Sequence, residues 1–316
     1  MAIRLKRSKN MTQTGFPSQR SPKPDRLLAS DHARGLVLAV VGILILSPDS
    51  LLIRLIAADQ WTLLFWRGLM TFVTLTLYLL FTQRSETLKR FQAFGFLGLA
   101  IAALFALNTT LFVVSIRYTA VANTLVLISV APLFAAIFSS LFLAEHAPPR
   151  TWIATLVSIL SIGYIMREGL GSSSLIGDSA ALVLALTMGA ILTMLRARRS
   201  SDVVPIVACS GLLLAVVLFP FSGPLSLSNS DWFYMSILGL VVIPVSFGLT
   251  LSAPKYLPAP EVGLVFLLET VLGPFLVWLV IGEEPPPATL IGGTLLVATL
   301  TVHAAISLKK SSDANS

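Results

Sequence analysis

RYTAVANTLVLISVAPLFAAIFSSLFLAEHAPPRT, residues 117–151, aligns without a gap on KYLPAPEVGLVFLLETVLGPFLVWLVIGEEPPPAT, residues 255–289. The shift is 256 minus 118, or 138 positions. It pairs Tyr118 with Tyr256, Leu141 with Leu279, Glu145 with Glu283, Pro148 with Pro286, Pro149 with Pro287 and Thr151 with Thr289. Matched leucines carry little weight between apolar segments. The shared tyrosine and the shared Glu-x-x-Pro-Pro-x-Thr ending carry more. A weaker match pairs Asp59, Gly68 and Leu69 with Asp202, Gly211 and Leu212.

Both segments sit among long apolar runs. A helix needs about 20 mostly apolar residues to cross a bilayer. Ten runs approach or meet this: 36–56, 61–81, 91–116, 121–143, 152–166, 175–195, 203–221, 232–253, 262–281 and 290–308, the fifth being short. Of 316 residues 55% are hydrophobic and 12% charged, where soluble domains carry about 25% charged residues. The mean hydropathy is +0.87. The expectation is an all-α integral membrane protein of ten transmembrane helices. The second copy lies five runs on from the first, so the repeat unit is five helices, and an odd unit turns the second copy upside down relative to the first. Inverted repeats are the build of secondary transporters, whose substrate site lies near the bilayer midplane between the halves.

A net charge of +7 would suggest nucleic acid in a soluble protein. Here it reads as topology. With loops assigned alternately to two sides, Arg54, Arg117 and Arg167 fall on one side. Every other basic residue outside the spans falls on the side of the N-terminal tail. By the positive-inside rule both termini are then cytoplasmic. The expected parts are a disordered basic tail over 1–33, a first repeat over 34–167, a second over 175–308 and a short tail over 309–316. An organelle transit peptide is the minor alternative for the N-terminal segment. Cys209 stands alone, so neither a disulfide nor a cysteine metal site can form.

FWRG at Phe65–Gly68, early in the second run, and the repeat endings FLAEHAPPRT and VIGEEPPPAT resemble the EamA-type transporters of the drug/metabolite transporter superfamily. The resemblance covers nearly all of the chain after the tail. It implies two five-helix repeats, each with a proline in its fourth helix and a closing glutamate. Pro132 and Glu145 fit. In the second half Thr270 replaces the matching proline, with Glu269 beside it and Pro274 one turn later.

Within the first run, LVLAVVGILILSPDSLLIRLI, lie Pro48 and Asp49. An intramembrane carboxylate is expensive and is kept where it meets a protein interior or a watery cavity. A rise of about 1.5 Å per residue puts Arg67 at a depth similar to Asp49. The two either pair with each other or face a cavity, where they would take the two ends of a zwitterion. Glu269, mid-way along the ninth run with no basic neighbour in sequence, is the candidate for proton coupling. Asn108 would bond a substrate or join helices. Pro48, Pro132, Pro244 and Pro274 are candidate hinges or static kinks. Asn123 and Glu261 read as caps or first-turn residues, and Glu145, Glu283 and Glu284 as loop-shaping residues. His303 reads as an interfacial side chain, and Gly98, Ala102 and Ala106 form a close-packing stripe.

No P-loop, metal-ligand cluster or room for a catalytic domain is found, so no catalytic residue, metal or cofactor is expected. The partners expected are a small-molecule substrate, the lipid bilayer and protons, without nucleic acid. A homodimer is left open. The function expected is export of a small organic metabolite, amino-acid-like or a drug, across the cell (inner) membrane. The alternatives are an anionic-metabolite exchanger, a membrane-embedded enzyme and a non-transporting scaffold.

Overall fold

The computed structural model describes residues 24–83, 86–87, 91, 95–142, 149–167, 174–197, 203–250, 253, 256 and 259–313. Thirteen α-helices run through them. α1 is Pro24–Leu46, α2 Asp49–Leu55, α3 Gln60–Gln83, α4 Gly95–Tyr118, α5 Val121–Ile128 and α6 Ala131–Phe142. α7 is Pro149–Met166, α8 Ser174–Ala197, α9 Val203–Leu218, α10 Asn229–Ser236, α11 Ile243–Thr250, α12 Ala259–Ile281 and α13 Pro287–Asp313. No strand occurs among the described residues. Seven helical segments there are long and apolar enough to cross a membrane: Ala33–Leu55, Gln60–Thr82, Gly95–Tyr118, Val121–Phe142, Ser174–Leu195, Val203–Phe221 and Asn229–Thr250. The runs near 152–166, 262–281 and 290–308 yield shorter apolar helices, Leu156–Ile165, Leu268–Ile281 and Pro287–Thr299. Phe81, Phe96 and Phe142 are 81%, 87% and 76% exposed on the outside of the bundle. Such a surface suits lipid and would be a liability in water.

Proline sets where helices break. Pro48 has no N–H, and its ring crowds the carbonyl one turn back. The chain therefore turns at Ser47–Pro48 and restarts as α2. Ser47 donates both its N–H and its hydroxyl to the Ile43 carbonyl, each at 2.8 Å, which closes the last turn of α1. A second break at Ser129–Val130 precedes Pro132, the second residue of α6. Pro244 follows a π-helical stretch, Ile237–Val242, and Pro274 lies inside α12.

Packing is tightest where small residues face each other. A Cβ on Gly68 of α3 would lie 2.6 Å from the Gly211 carbonyl oxygen of α9, and one on Gly211 would lie 2.6 Å from that of Gly68. The contact is reciprocal and backbone to backbone. Gly98 and Ala102 of α4 are buried as well, and Ala102 shares a core cluster with Ile191 of α8 and Ile206 of α9. The largest core cluster joins residues of α1–α5 and α9–α12, among them Ile43, Ile53, Leu64, Val113, Leu125, Leu214, Leu238 and Val277.

One end of the bundle is laced by polar contacts. Arg117 donates to the carbonyls of Ile56 (2.8 Å) and Ala58 (3.0 Å), the Ala57 N–H to Asp231 Oδ1 (2.7 Å), and the Gly223 N–H to Thr62 Oγ1 (2.8 Å). This is the laced end. α1 begins and α13 ends away from it.

Several expectations on the ends change. α1 begins at Pro24, so residues 24–33 continue the first helix where a disordered tail was expected. Proline is well placed to open a helix, and the Leu-Leu-Ala that follows favours one. α13 likewise runs past Leu308 through Lys309 and Lys310 to Asp313. Residues 1–23 of the tail, the Glu145 loop, and the basic loop residues Arg84, Lys89, Arg90, Arg198, Arg199 and Lys255 lie outside the described residues. So do the side chains of Pro132, Glu261 and His303.

Candidate functional site

The break at Pro48 places Asp49 in the first turn of α2, where unpaired backbone N–H groups favour a negative charge. Arg67 approaches from α3, and the two form a bidentate pair: Nη1 to Oδ1 at 2.5 Å and Nη2 to Oδ2 at 2.8 Å. Asp49 is 3% exposed and Arg67 5%. Of the two arrangements open to these residues, the structure has the mutual pair. Arg67 also stands over the Phe112 ring of α4, 5.8 Å from its centre, within cation–π range.

The Arg67 side of the pair borders a cavity of about 60 Å³ lined by Arg67, Thr71, Asn108, Ser210, Ile243 and Phe247 among others. Thr71 lies one turn along α3 from Arg67, is buried, and its hydroxyl has no hydrogen-bond partner in the structure. Asn108 spends both amide hydrogens on α8, donating to the Leu184 carbonyl (3.1 Å) and to Thr187 Oγ1 (3.0 Å). It therefore joins α4 to α8 at the cavity wall. Pro244 adjoins Ile243 in that wall, next to the π-helical stretch.

Glu269 is half-buried on α12 and lies within electrostatic reach of both Asp49 and Arg67. Among the described residues no hydrogen bond or ion pair holds it. Contact between the two elements is made at Gly273, one turn along, where a Cβ would sit 3.3 Å from the Ser50 hydroxyl. That hydroxyl is also buried without a partner. Tertiary packing thus gathers Asp49, Arg67 and Glu269, which are remote in sequence, around one region. Asn108 and Thr71 extend it along the cavity. Pro274 adjoins Gly273, and Pro48 adjoins Asp49.

Two other assignments take a different form in the structure. Asn123 does not act as a helix cap. It is buried, donates to Thr119 Oγ1 and Asp178 Oδ1 at 3.2 Å each, and accepts from Thr289 Oγ1. The reason is that α8 and α13 cover the start of α5, so its amide bonds to other helices. Glu283 does more than shape a loop. Gly282, at φ +78°, turns the chain back after α12, and Glu283 then reaches Arg54 of α2 (3.1 Å) and the Val121 N–H (2.9 Å). Asp178 of α8 goes unremarked in the sequence, although an acid inside an apolar run is the signal that singles out Asp49.

The EamA-like transporter family model matches residues 33–167 and 175–303. An uncharacterized transporter of Bacillus subtilis (strain 168), YdfC, is 26% identical over 244 residues, covering 73% of this chain and 78% of its own. A crystal structure of another protein superposes with a TM-score of 0.63 at 17% identity, over 87% of this chain and 98% of that one. That last likeness is one of fold alone.

Proposed function

The chain belongs to the EamA-like transporter family, and from that premise we propose that it exports small organic metabolites, amino-acid-like solutes or drugs, by alternating access. It is a multi-pass membrane protein and a transporter, not an enzyme. In the reading offered here its ten helices form two inverted five-helix repeats in the cell inner membrane, with both termini cytoplasmic. The reciprocal contact of Gly68 with Gly211, positions that the weaker sequence match pairs, supports a pseudo-symmetric seam between the halves.

The observation that carries the proposal is Arg67 in the wall of a cavity, held dry by Asp49 behind it, with the unpartnered Thr71 hydroxyl beside it and Glu269 in reach. Buried polar groups without partners mark places where another molecule completes the hydrogen bonding. A cavity of about 60 Å³ has room for a few waters, which need roughly 10–15 Å³ each, and is well below the roughly 300 Å³ of a small ligand pocket, so it must widen to take a solute. Glu269, the acid near the pair without a bonded partner among the described residues, carries the coupling proton. An anion exchanger fits less well, because Arg67, the cation in the cavity lining, is already neutralised by Asp49.

The test is uptake and counterflow in proteoliposomes against amino acids, nucleosides, sugars and drugs, with and without a pH gradient. Accumulation or exchange of one solute class is expected, with its rate set by the gradient. Failure of every solute under every gradient by a folded protein would remove the transporter's proposed cargo. Glu269→Gln is expected to abolish the response to the gradient, and an unchanged response would exclude Glu269 as the coupling group.

A further inference from the structure

Away from the cavity, at the laced end, Asp178 of α8 is fully buried. Its two oxygens are treated unequally. Oδ1 accepts from Thr119 Oγ1 at 2.6 Å and from Asn123 Nδ2 at 3.2 Å, while Oδ2 has no partner. α4, α5 and α6 pack against α8. The titratable residues of α4 are Arg117, which is spent on the carbonyls of Ile56 and Ala58, and Tyr118, which is exposed. α5 and α6 bring none. Arg54 and Glu283, one link further away, bond to each other and to the backbone of Thr119 and Val121. Among the described residues no cation pairs with Asp178.

We propose that Asp178 is a proton-binding site, and that the proton on its Oδ2 holds the laced end of the bundle shut. An ionised carboxylate with one oxygen dry and bare is costly, and far more so than a hydroxyl missing one hydrogen bond. Two donors on one oxygen and none on the other is the pattern of a neutral acid, with Oδ1 as its carbonyl and Oδ2 as its hydroxyl. Space for a metal ion or water is restricted by the packing of α8: a Cβ on Gly177 would lie 2.7 Å from the Thr119 backbone nitrogen.

The network around the acid ties five elements. Thr119 and Asn123 connect it to α5, Asn123 to Thr289 of α13, the Thr119 carbonyl to Arg54 of α2 at 2.8 Å, and Arg54 to Glu283 after α12. When the O–H bond at Oδ2 breaks, the proton passes to water and the electron pair stays on the carboxylate. That carboxylate needs water at Oδ2, which the closed packing denies. Loss of the proton and opening of this end are therefore one linked equilibrium. The site is separate from Glu269 and stands whatever solute the cavity takes.

The test uses the full chain in nanodiscs, in a Glu269→Gln background so that the intramembrane acid of the cavity region that no cation pairs with among the described residues is silent; Asp49 is held by Arg67. Infrared difference spectra and hydrogen–deuterium exchange are recorded between about pH 5 and about pH 9, a span wide enough for a buried carboxyl. Raising the pH is expected to remove a protonated-carboxyl C=O band and to speed exchange in 117–124, 174–182 and 283–290 by about tenfold or more, after correction for intrinsic rates. Adding Asp178→Asn, which mimics the neutral acid, is expected to abolish the band change and keep these segments protected throughout. The same band change and the same acceleration with and without Asp178 would overturn the proposal, as would no titration in the presence of Asp178. Asp178→Ala provides a second check: it is expected to leave the segments unprotected at every pH, and protection equal to that of Asp178→Asn would count against the latch.

Discussion

Removing Asp49 while leaving Arg67 should strand a buried cation. Asp49→Ala deletes both acceptors of a guanidinium that is 5% exposed and held at 2.5 and 2.8 Å. Among the described residues its other partner is the Phe112 face, and a cation–π contact returns only about 0.5–2 kcal/mol. Breaking a buried pair from one side costs about 3–5 kcal/mol, because the remaining charge stays dry. That is two to three and a half decades in the folding equilibrium, at about 1.4 kcal/mol per decade. Arg67→Met added to Asp49→Ala removes the stranded charge, and replacing a buried pair by apolar groups is often close to neutral. The assay is reversible denaturant unfolding in mixed micelles of the wild type, both single variants and the double variant. A cost for Asp49→Ala below about 1 kcal/mol, the scale of a solvated ion pair, would refute the reasoning. So would a double variant as unstable as the single ones. Transport by a stable double variant would in turn reduce the pair to a helix lock, whereas a stable but inactive one would place it in the solute path.

Gly68→Ala drives a methyl group to 2.6 Å from the Gly211 carbonyl and should cost about 1–3 kcal/mol or separate α3 from α9. Gly163→Ala, with nothing within 4 Å, should be neutral or stabilising by up to about 1 kcal/mol, and equal effects in the same unfolding assay would contradict the seam. Asp59 caps α3 by accepting from the N–H groups of Trp61 (2.9 Å) and Thr62 (3.0 Å). Slight burial pushes its carboxyl up, but the Thr62 hydroxyl and these backbone bonds together outweigh it and hold it below the ordinary 3.8. Its folded value being depressed, the stability it adds is present above the unfolded value and is lost as the pH falls through the folded one. Asp59→Ala should cost about 0.5–2 kcal/mol at neutral pH, with the difference from wild type shrinking in acid, as read from paired unfolding curves.

The character of this chain is written in local sequence. Long apolar runs, charges confined to their ends and a repeated Glu-x-x-Pro-Pro-x-Thr are properties of neighbours along the chain, and they sufficed for an all-helical membrane protein of the EamA-like family. An acid in an apolar run is also visible locally, which is why Asp49 and Glu269 stand out. What each acid meets is not local. Arg67 as the partner of Asp49, Glu269 brought toward that pair by α12, and Asn123 drawn into bonds with α8 and α13 depend on helices docking across tens to hundreds of positions. Asp178 shows the limit most clearly. One turn into α8 it carries the same local signal as Asp49, and only its packing against Thr119 and Asn123 gives one oxygen two donors and leaves the other dry. Hydropathy specified which segments leave water; the packing of those segments decided which polar atoms were left without it.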